Sequence, residues 1–600
     1  MPDVYFLPAG VTVEVPAGTL IHEAAIRAGI HDLELPCGGG GTCGQCLVEV
    51  SGRTVMACRT NIASDVTVTV PENRDVAMQV VGESRFLAAE GLLPRADRLS
   101  PQYEIRRMTV PPASVEEHYS DWKRLLREFG GEPPVAAPLS VLRNLAAAVR
   151  EQDGKLTIAV EESAAGIRVT EVYPGHIDRR AFGLAVDIGT TTVAAQLVDL
   201  NGGRVLSTHT LYNAQIRRGA DIITRIDHAR TPARLEELRA MVVETINSLV
   251  RQMAADPQDI RAAFVAGNTT MIHLLLGMEP RHIRESPYVP TVNPVPSLRA
   301  AEVKIDIHPD ALVEFAPGVG SYVGGDITAG LLATDLPTNH EEVFLFLDIG
   351  TNGEIVIGNA DWMVACACSA GPAFEGSGIR CGMRAVEGAI EHVDIGAGLA
   401  VHYKVIGGGK PAGICGSGLI CLLGELFRRG IVDQSGRFHG SRSFVVAPGD
   451  STATGEDLVV AESDLENLIR TKAAIYAACS LILENVGLDW DAISRVYIAG
   501  GFGRYIQVAD AIRIGMLPDL PHGRFSYIGN SALTGAYIAL LSREHRRRLA
   551  EISTRMTYVD LSSDPRYMDY YIKAMFLPHT DLERFPSVAP ILKNQRRNES

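Results

Sequence analysis

Apolar and polar residues alternate from Val4 to Leu7 and again from Val11 to Val15, and the turn residues Pro8-Ala9-Gly10 between them predict a β-hairpin. A helix is expected next. Thr19 stands where a cap belongs, Ile21, Ala24, Ala25 and Ala28 recur at helical spacing, and Gly29 suits the stop. A second hairpin turned at Ser51-Gly52, and a half-buried strand from Asp65 to Val70 closed by Pro71, complete a small β-grasp pattern. From about 75 to 180 the chain reads as a linker and a small α+β domain. Its helices are expected from Asp121 to Phe129 and Leu139 to Arg150, its strands from Leu156 to Val160 and Ile167 to Val172. Further on, an apolar strand from Gly183 enters the turn Asp187-Ile188-Gly189-Thr190-Thr191-Thr192 and leaves as Val193 to Leu200. The same design returns from Phe344 through Asp348-Ile349-Gly350-Thr351-Asn352-Gly353-Glu354 into Ile355-Val356-Ile357. Such a repeat predicts two similar half-domains facing each other across a cleft. Ser463-Asp464-Leu465-Glu466 is a capping-box signature for a long helix through about Asn485, and a buried-type strand from Arg495 ends in Gly500-Gly501-Phe502-Gly503.

A chain of 600 residues exceeds what one hydrophobic core supports, roughly 250–300 residues, so three or more domains are expected. With 46% hydrophobic and 21% charged residues it should fold compactly. A net charge of −15 argues against nucleic acid and anionic membrane surfaces as partners, the short Arg546-Arg547-Arg548 run being no basic stripe. The opening Met1-Pro2-Asp3-Val4 lacks the basic and apolar regions of a signal peptide, and no apolar stretch approaches ~20 residues, so cytoplasmic residence is expected. Ten cysteines are too few for a disulfide scaffold, yet four of them crowd between positions 37 and 58.

Those four, Cys37, Cys43, Cys46 and Cys58, follow the pattern C-x5-C-x2-C-x11-C, with Gly38 to Gly41 in the first interval. Thiolates select iron-sulfur clusters or zinc, and a glycine-rich loop lets backbone amides approach cluster sulfurs closely. The pattern lies near the plant-type ferredoxin arrangement, one residue longer in the first gap, and favours [2Fe-2S] over structural zinc or plain buried thiols. In the duplicated turns Gly189, Thr190, Thr191 and Thr192, and likewise Gly350, Thr351, Asn352 and Gly353, supply amides and hydroxyls suited to phosphate oxygens. Asp187 and Asp348 stand at the strand ends, where a carboxylate can hold Mg²⁺ through its water shell and so serve as the catalytic pair. Gly500 and Gly501 would let an adenosine lie against backbone. Gly416-Ser417-Gly418 is expected to be a strand-free helix opening whose amides face phosphate. Lys472, on the long helix, could reach the nucleotide or could be a solvated surface lysine.

The two aspartate-centred hairpins and the Gly500-Gly501 pair resemble the phosphate-1, phosphate-2 and adenosine motifs of the acetate and sugar kinase, Hsp70 and actin superfamily, over roughly 183–545. Joined to the N-terminal cysteine pattern, the chain is similar to the reductive activators of corrinoid proteins. Gly219 to Arg225, Ala266 to His273 and Gly529 to Ala536 extend that likeness over nearly the whole length. The resemblance implies a multidomain α+β and α/β protein: a β-grasp ferredoxin over 1–75, a linker and small middle domain over 76–180, and a two-lobed actin-like ATPase over 181–600. It implies a [2Fe-2S] cluster on Cys37, Cys43, Cys46 and Cys58, ATP with Mg²⁺ at the twin hairpins, and a homodimer. It also implies an electron donor and a corrinoid protein whose Co(II) state is reduced to methyl-accepting Co(I). The last cysteine is Cys479, so the chain is like the [2Fe-2S] branch rather than relatives ending in [4Fe-4S] motifs. A redox-sensing ATP-binding regulator, an activator of a radical dehydratase and a small-molecule kinase remain open alternatives. Cys366, Cys368, Cys381, Cys415 and Cys421 show no ligand spacing and are expected to be structural, and His273 and the other histidines, also without metal-site spacing, to be packing or surface residues.

Overall fold

The computed structural model describes residues 1–30, 33, 46–50, 53–70, 99–116, 118–129, 135–163, 166–350, 352–376, 378–500 and 506–591. Residues 3–69 contain a five-stranded sheet in the order Val11–Glu14, Asp3–Leu7, Val66–Thr69, Leu47–Val50, Arg53–Met56. Asp3–Leu7 pairs antiparallel with its hairpin partner but parallel with Val66–Thr69, the mixed pairing expected of a β-grasp. The helix Ile21–Arg27 lays Ile21, Ala24 and Ala25 onto Val4, Phe6, Val48 and Val68, and Cys46 and Cys58 belong to that same core. Thr19 is not its cap. The Thr19 hydroxyl donates to the Pro16 carbonyl at 2.7 Å, and Leu20 holds the cap position with no side-chain bond.

A four-stranded sheet follows in the order Tyr103–Thr109, Lys155–Ser163, Gly166–Pro174, Val135–Ala136, with the expected helices as Asp121–Arg127 and Leu139–Glu151. The strand Tyr103–Thr109 has no counterpart in the sequence expectations; Arg107, where an apolar residue would fall, breaks its alternation. Ion pairs seat this sheet on the part that follows: Arg299 grips Glu161, with one contact at 2.8 Å, Arg261 meets Glu171, and Arg543 meets Glu162.

The remaining chain contains two six-stranded sheets of one design, with a three-stranded sheet around Ala389–Ile395 and a two-stranded one added in the second half. The first runs Arg204–Tyr212, Thr192–Asp199, Phe182–Ile188, Ile260–Gly267, Leu312–Phe315, Leu298–Arg299. The second runs Met556–Tyr558, Met363–Cys368, Gly353–Gly358, Val343–Ile349, Ile493–Ala499, Phe525–Gly529. In each, a three-stranded antiparallel meander turns at the aspartate hairpin, and two parallel strands extend the first strand of that meander. Outer faces are covered separately, by Pro232–Gln252 on the first lobe and by Gly416–Arg428 and Glu462–Asn485 on the second. The long helix begins earlier than expected. Ala461 is its cap and Asp464 closes the box by accepting from the Ala461 amide at 2.8 Å, whereas Glu466 pairs with Arg470.

Two short helices, Gly325–Leu331 and Ser531–Leu541, cross in the apolar layer that both sheets share, among Ala185, Phe264, Phe344 and Phe346. Their backbones nearly touch. A Cβ added at Gly535 would lie 1.9 Å from the Ala329 carbonyl oxygen, which no side-chain rotation can relieve. Among the described residues no helix is long and apolar enough to cross a membrane. Gly535→Ala must therefore separate the crossing helices, and overpacking of this kind should cost about 3 kcal/mol. Thermal unfolding of this variant against wild type measures it, and an unchanged Tm would contradict the packing described.

Candidate functional site

The cleft between the lobes is built from the duplicated hairpins. In the first, the Gly189 amide donates to the Thr192 carbonyl at 2.9 Å; in the second, the Gly350 amide donates to the Asn352 carbonyl at 2.9 Å. The first turn is braced from behind. The Gly189 carbonyl accepts from Asn213 at 3.0 Å, the Thr190 carbonyl from the fully buried Arg225, and the Thr190 hydroxyl from Asn268 at 3.3 Å. Arg225 also donates to the Gly219 carbonyl and to Gln215, so its guanidinium spends its donors on positioning backbone. The Thr191 hydroxyl reaches across to Glu375 of the second lobe at 3.0 Å.

Four recessed carboxyls share the cleft. Burial raises Asp187 to about 7 against Asn530, whose amide donates to it at 2.8 Å, and Asp326 adds repulsion. Asp348 also rises to about 7, through burial and then through the charges of Asp326 and Asp187. Asp326 itself is lifted by burial to about 6, and Glu354 is pushed well above the usual range by burial, Asp326 and Asp348. Asp348 and Glu354 are direct partners across the second hairpin. Oxygen donors that raise one another's pKa in a recess form a site that a hard divalent cation would neutralise, so the donor set fits Mg²⁺ carried by a nucleotide. Gly500 closes this floor. A Cβ there would lie 2.4 Å from the Ile349 carbonyl and 3.2 Å from the Asp348 carboxylate, so the end of the Ile493–Ala499 strand lies against the second hairpin.

The structure thus brings Asp187, Gly189, Thr190, Thr191, Thr192, Asp348, Gly350, Asn352, Gly353 and Gly500 to the cleft-facing ends of paired strands. Thr351 and Gly501 lie outside the described residues. Lys472 is a correction. Its side chain is fully buried and its ammonium donates to the carbonyls of Phe576 at 2.6 Å and Pro578 at 2.7 Å, so it is neither a nucleotide ligand nor a solvated surface lysine. Gly416 and Gly418 have a packing reason: added Cβ atoms would meet the Phe374 carbonyl at 2.0 Å and the Ile390 carbonyl at 2.3 Å. Ser417 is buried with them, and a short strand, Gly413–Ile414, leads into this helix after all. Asp326, Glu375 and the bracing role of Arg225 were not expected from the sequence. The signal for Asp326 was available, since it follows Gly324-Gly325 directly at the opening of a helix.

At the other end, Cys46 and Cys58 are 1% and 5% exposed, their sulfurs lie 3.0 Å apart, and the Cys58 amide points at the Cys46 sulfur at 3.5 Å. Converging thiols with an amide aimed at sulfur are the donor set of an iron-sulfur site. Cys37 and Cys43 lie outside the described residues. Cys366, Cys368, Cys381 and Cys415 are buried in the second lobe, and His273 is buried with Nδ1 at the Thr269 carbonyl and Nε2 accepting from the Thr291 amide.

Comparison with known proteins gives four successive matches. Residues 4–75 match the family described as 2Fe-2S iron-sulfur cluster binding domain, 94–179 the RACo linker region, 182–339 the RACo middle region, and 342–589 the C-terminal domain of RACo, the ASKHA domain. The corrinoid activation enzyme RamQ of Eubacterium limosum is 31% identical over 589 residues, covering 93% of this chain and 96% of that one. A [Co(II) methylated amine-specific corrinoid protein] reductase of Methanosarcina barkeri is 24% identical over 430 residues, 65% of this chain and 76% of that one. A solved structure described as a reductive activator for corrinoid, iron-sulfur protein superposes with a TM-score of 0.75 at 41% identity, covering 98% of this chain and all of that one.

The raised carboxyls make a pH prediction. An aspartate of ordinary value 3.8 has lost its proton in the unfolded chain by about pH 5, while Asp187 and Asp348 keep theirs in the folded chain to about 7. The nucleotide-free fold therefore binds more protons than the unfolded chain in that window, and loses stability as pH rises through it. Asp348→Asn, which removes the charge and keeps the shape, should raise Tm by a few degrees at about pH 8 and leave it near wild type at about pH 4. Melts at the two pH values without Mg²⁺ or nucleotide check this.

Proposed function

Because the chain belongs to the family of reductive activators of corrinoid proteins, we propose that it uses ATP to deliver one electron to a corrinoid protein, returning Co(II) to the methyl-accepting Co(I) state. The observation that carries this reading is the union, in one chain, of the converging buried thiols Cys46 and Cys58 with an acid-floored cleft between twin hairpins. The reading divides the chain as 1–75, 76–180 and 181–600. It calls for an electron donor, a cobalamin-carrying acceptor, a homodimeric assembly and a cytoplasmic setting.

Cys37, Cys43, Cys46 and Cys58 would hold the [2Fe-2S] cluster, which when bound supplies a one-electron carrier, near −400 mV for plant-type centres. A one-electron step that is uphill by ~59 mV costs about 1.4 kcal/mol, so a gap of a few hundred millivolts leaves almost no product unless it is coupled to another process. The cleft supplies that coupling. Amides and hydroxyls of Gly189 to Thr192 and of Gly350 to Gly353 bind phosphate oxygens, and Gly500 and Gly501 receive the adenosine. Asp187 and Asp348, joined by Asp326 and Glu354, would hold Mg²⁺, which when bound would neutralise phosphate charge and position the attacking water. Binding of the triphosphate draws the lobes together around it, which favours the complex with the acceptor, and hydrolysis releases that complex.

Asp187→Ala should lower ATP-dependent Co(I) formation by about 100-fold or more while iron, sulfide and visible absorption stay at wild-type levels. Anaerobic spectroscopy of a Co(II) corrinoid acceptor with reductant and ATP measures it, and loss of the cluster spectrum in this variant would contradict the division of labour. Cys58→Ser should do the reverse, removing iron and electron delivery while nucleotide binding persists; a cluster retained at full iron content would count against the ligand set.

A further inference from the structure

The second lobe brings together three side chains that the nucleotide site does not use. His392 lies on the strand Ala389–Ile395, Cys421 on the helix Gly416–Arg428, and Asp510 on the helix Val508–Arg513. Their ligand atoms all fall within 4.8 Å of one another. The Cys421 sulfur is 3.3 Å from His392 Nδ1, close to the roughly 3.5 Å edge that zinc–sulfur and zinc–nitrogen bonds of 2.3 and 2.0–2.1 Å make in a tetrahedron. Far apart in sequence, these residues show no ligand spacing, which is why Cys421 reads as structural there.

We propose that His392, Cys421 and Asp510 form a second metal site, for a borderline divalent ion of which zinc is the best fit, independent of the N-terminal cluster and of the ATP cleft. Imidazole, thiolate and carboxylate are all zinc ligands, and three of them with an exposed histidine leave the fourth position to water. The backbone is arranged for it. A β-bulge between Ile390 and His392 shifts the alternation of the strand, so that Val393 and Ile395 stay buried while His392 faces outward beside the helix bearing Cys421. Bulges commonly re-aim a side chain in this manner.

Without metal, the Cys421 thiol donates to the Val393 carbonyl at 2.9 Å, and burial together with the Asp510 charge raises its pKa. Coordination replaces the S–H bond with a metal–sulfur bond and sends the proton to solvent. Arg513 occupies Asp510 Oδ1 and also lies 3.5 Å from Glu425, so a metal takes the other carboxylate oxygen, and the arginine offsets the local negative charge. The helix tied down in this way follows the strand Ile493–Ala499 in the chain, so the metal would anchor the return from that strand to the lobe's core.

The test uses the full-length protein with its cluster intact, incubated with Zn²⁺, passed over a chelating resin and analysed for metals. About one zinc per chain is expected with iron unchanged, accompanied by a zinc-dependent rise in Tm. His392→Ala, at an exposed position, and the conservative Cys421→Ala should each lose the zinc and the Tm rise while keeping iron and the circular dichroism spectrum of wild type. Zinc-free wild type, zinc gained only as iron is lost, or zinc retained by both variants would overturn the site.

Discussion

Four carboxyls that repel one another are held at the floor of one cleft, and most of the second half of the chain can be understood as the frame that keeps them there. Asp187 comes from the first hairpin, Asp326 from the start of a crossing helix, and Asp348 and Glu354 from facing positions of the second hairpin. Burial makes each of them harder to ionise, and the charges of Asp326, Asp187 and Asp348 add to the difficulty of their neighbours. Left to themselves these charges would push the elements apart. The apolar layer around Phe344, Phe346 and Phe264, and the near contact of the two crossing helices, hold them in place. An arrangement so unfavourable when empty is what a site for a metal-bound polyphosphate requires, because the ligand's positive ion relieves the strain that the fold sustains.

Much of this was legible in the residues themselves. The β-grasp hairpins, the twin aspartate turns and the strand ending at Gly500 are local features, each announced by alternation and turn chemistry within about ten residues. What stayed hidden depends on partners distant in the chain. Lys472 looks like any helix-surface lysine until the segment through Phe576 and Pro578 folds over it with two carbonyls. Asp326 could have been singled out by its glycine pair, but only the meeting of both lobes makes it a neighbour of Asp187 and Asp348. The misread caps at Thr19 and at Ser463 are errors of one or two residues, where hydroxyl or acid chemistry was present but a neighbouring position was used. Gly416 and Gly418 are ambiguous for another reason: their smallness serves helix-to-backbone packing, which a phosphate loop would need equally.

The N-terminal thiols belong to one hydrophobic core and the hairpins that carry the cleft carboxyls to others, with the four-stranded sheet between them in chain order. That sheet is seated through Glu161 on Arg299 and Glu171 on Arg261, both from the first lobe. Near its beginning, Ser100 is stitched to the end of a crossing helix: its amide donates to the Leu541 carbonyl at 3.0 Å and its carbonyl accepts from the Arg543 amide at 3.2 Å. Mounted at these points, the sheet is riveted both to the first lobe and to the end of a helix wedged between the two, so it must register a displacement of either.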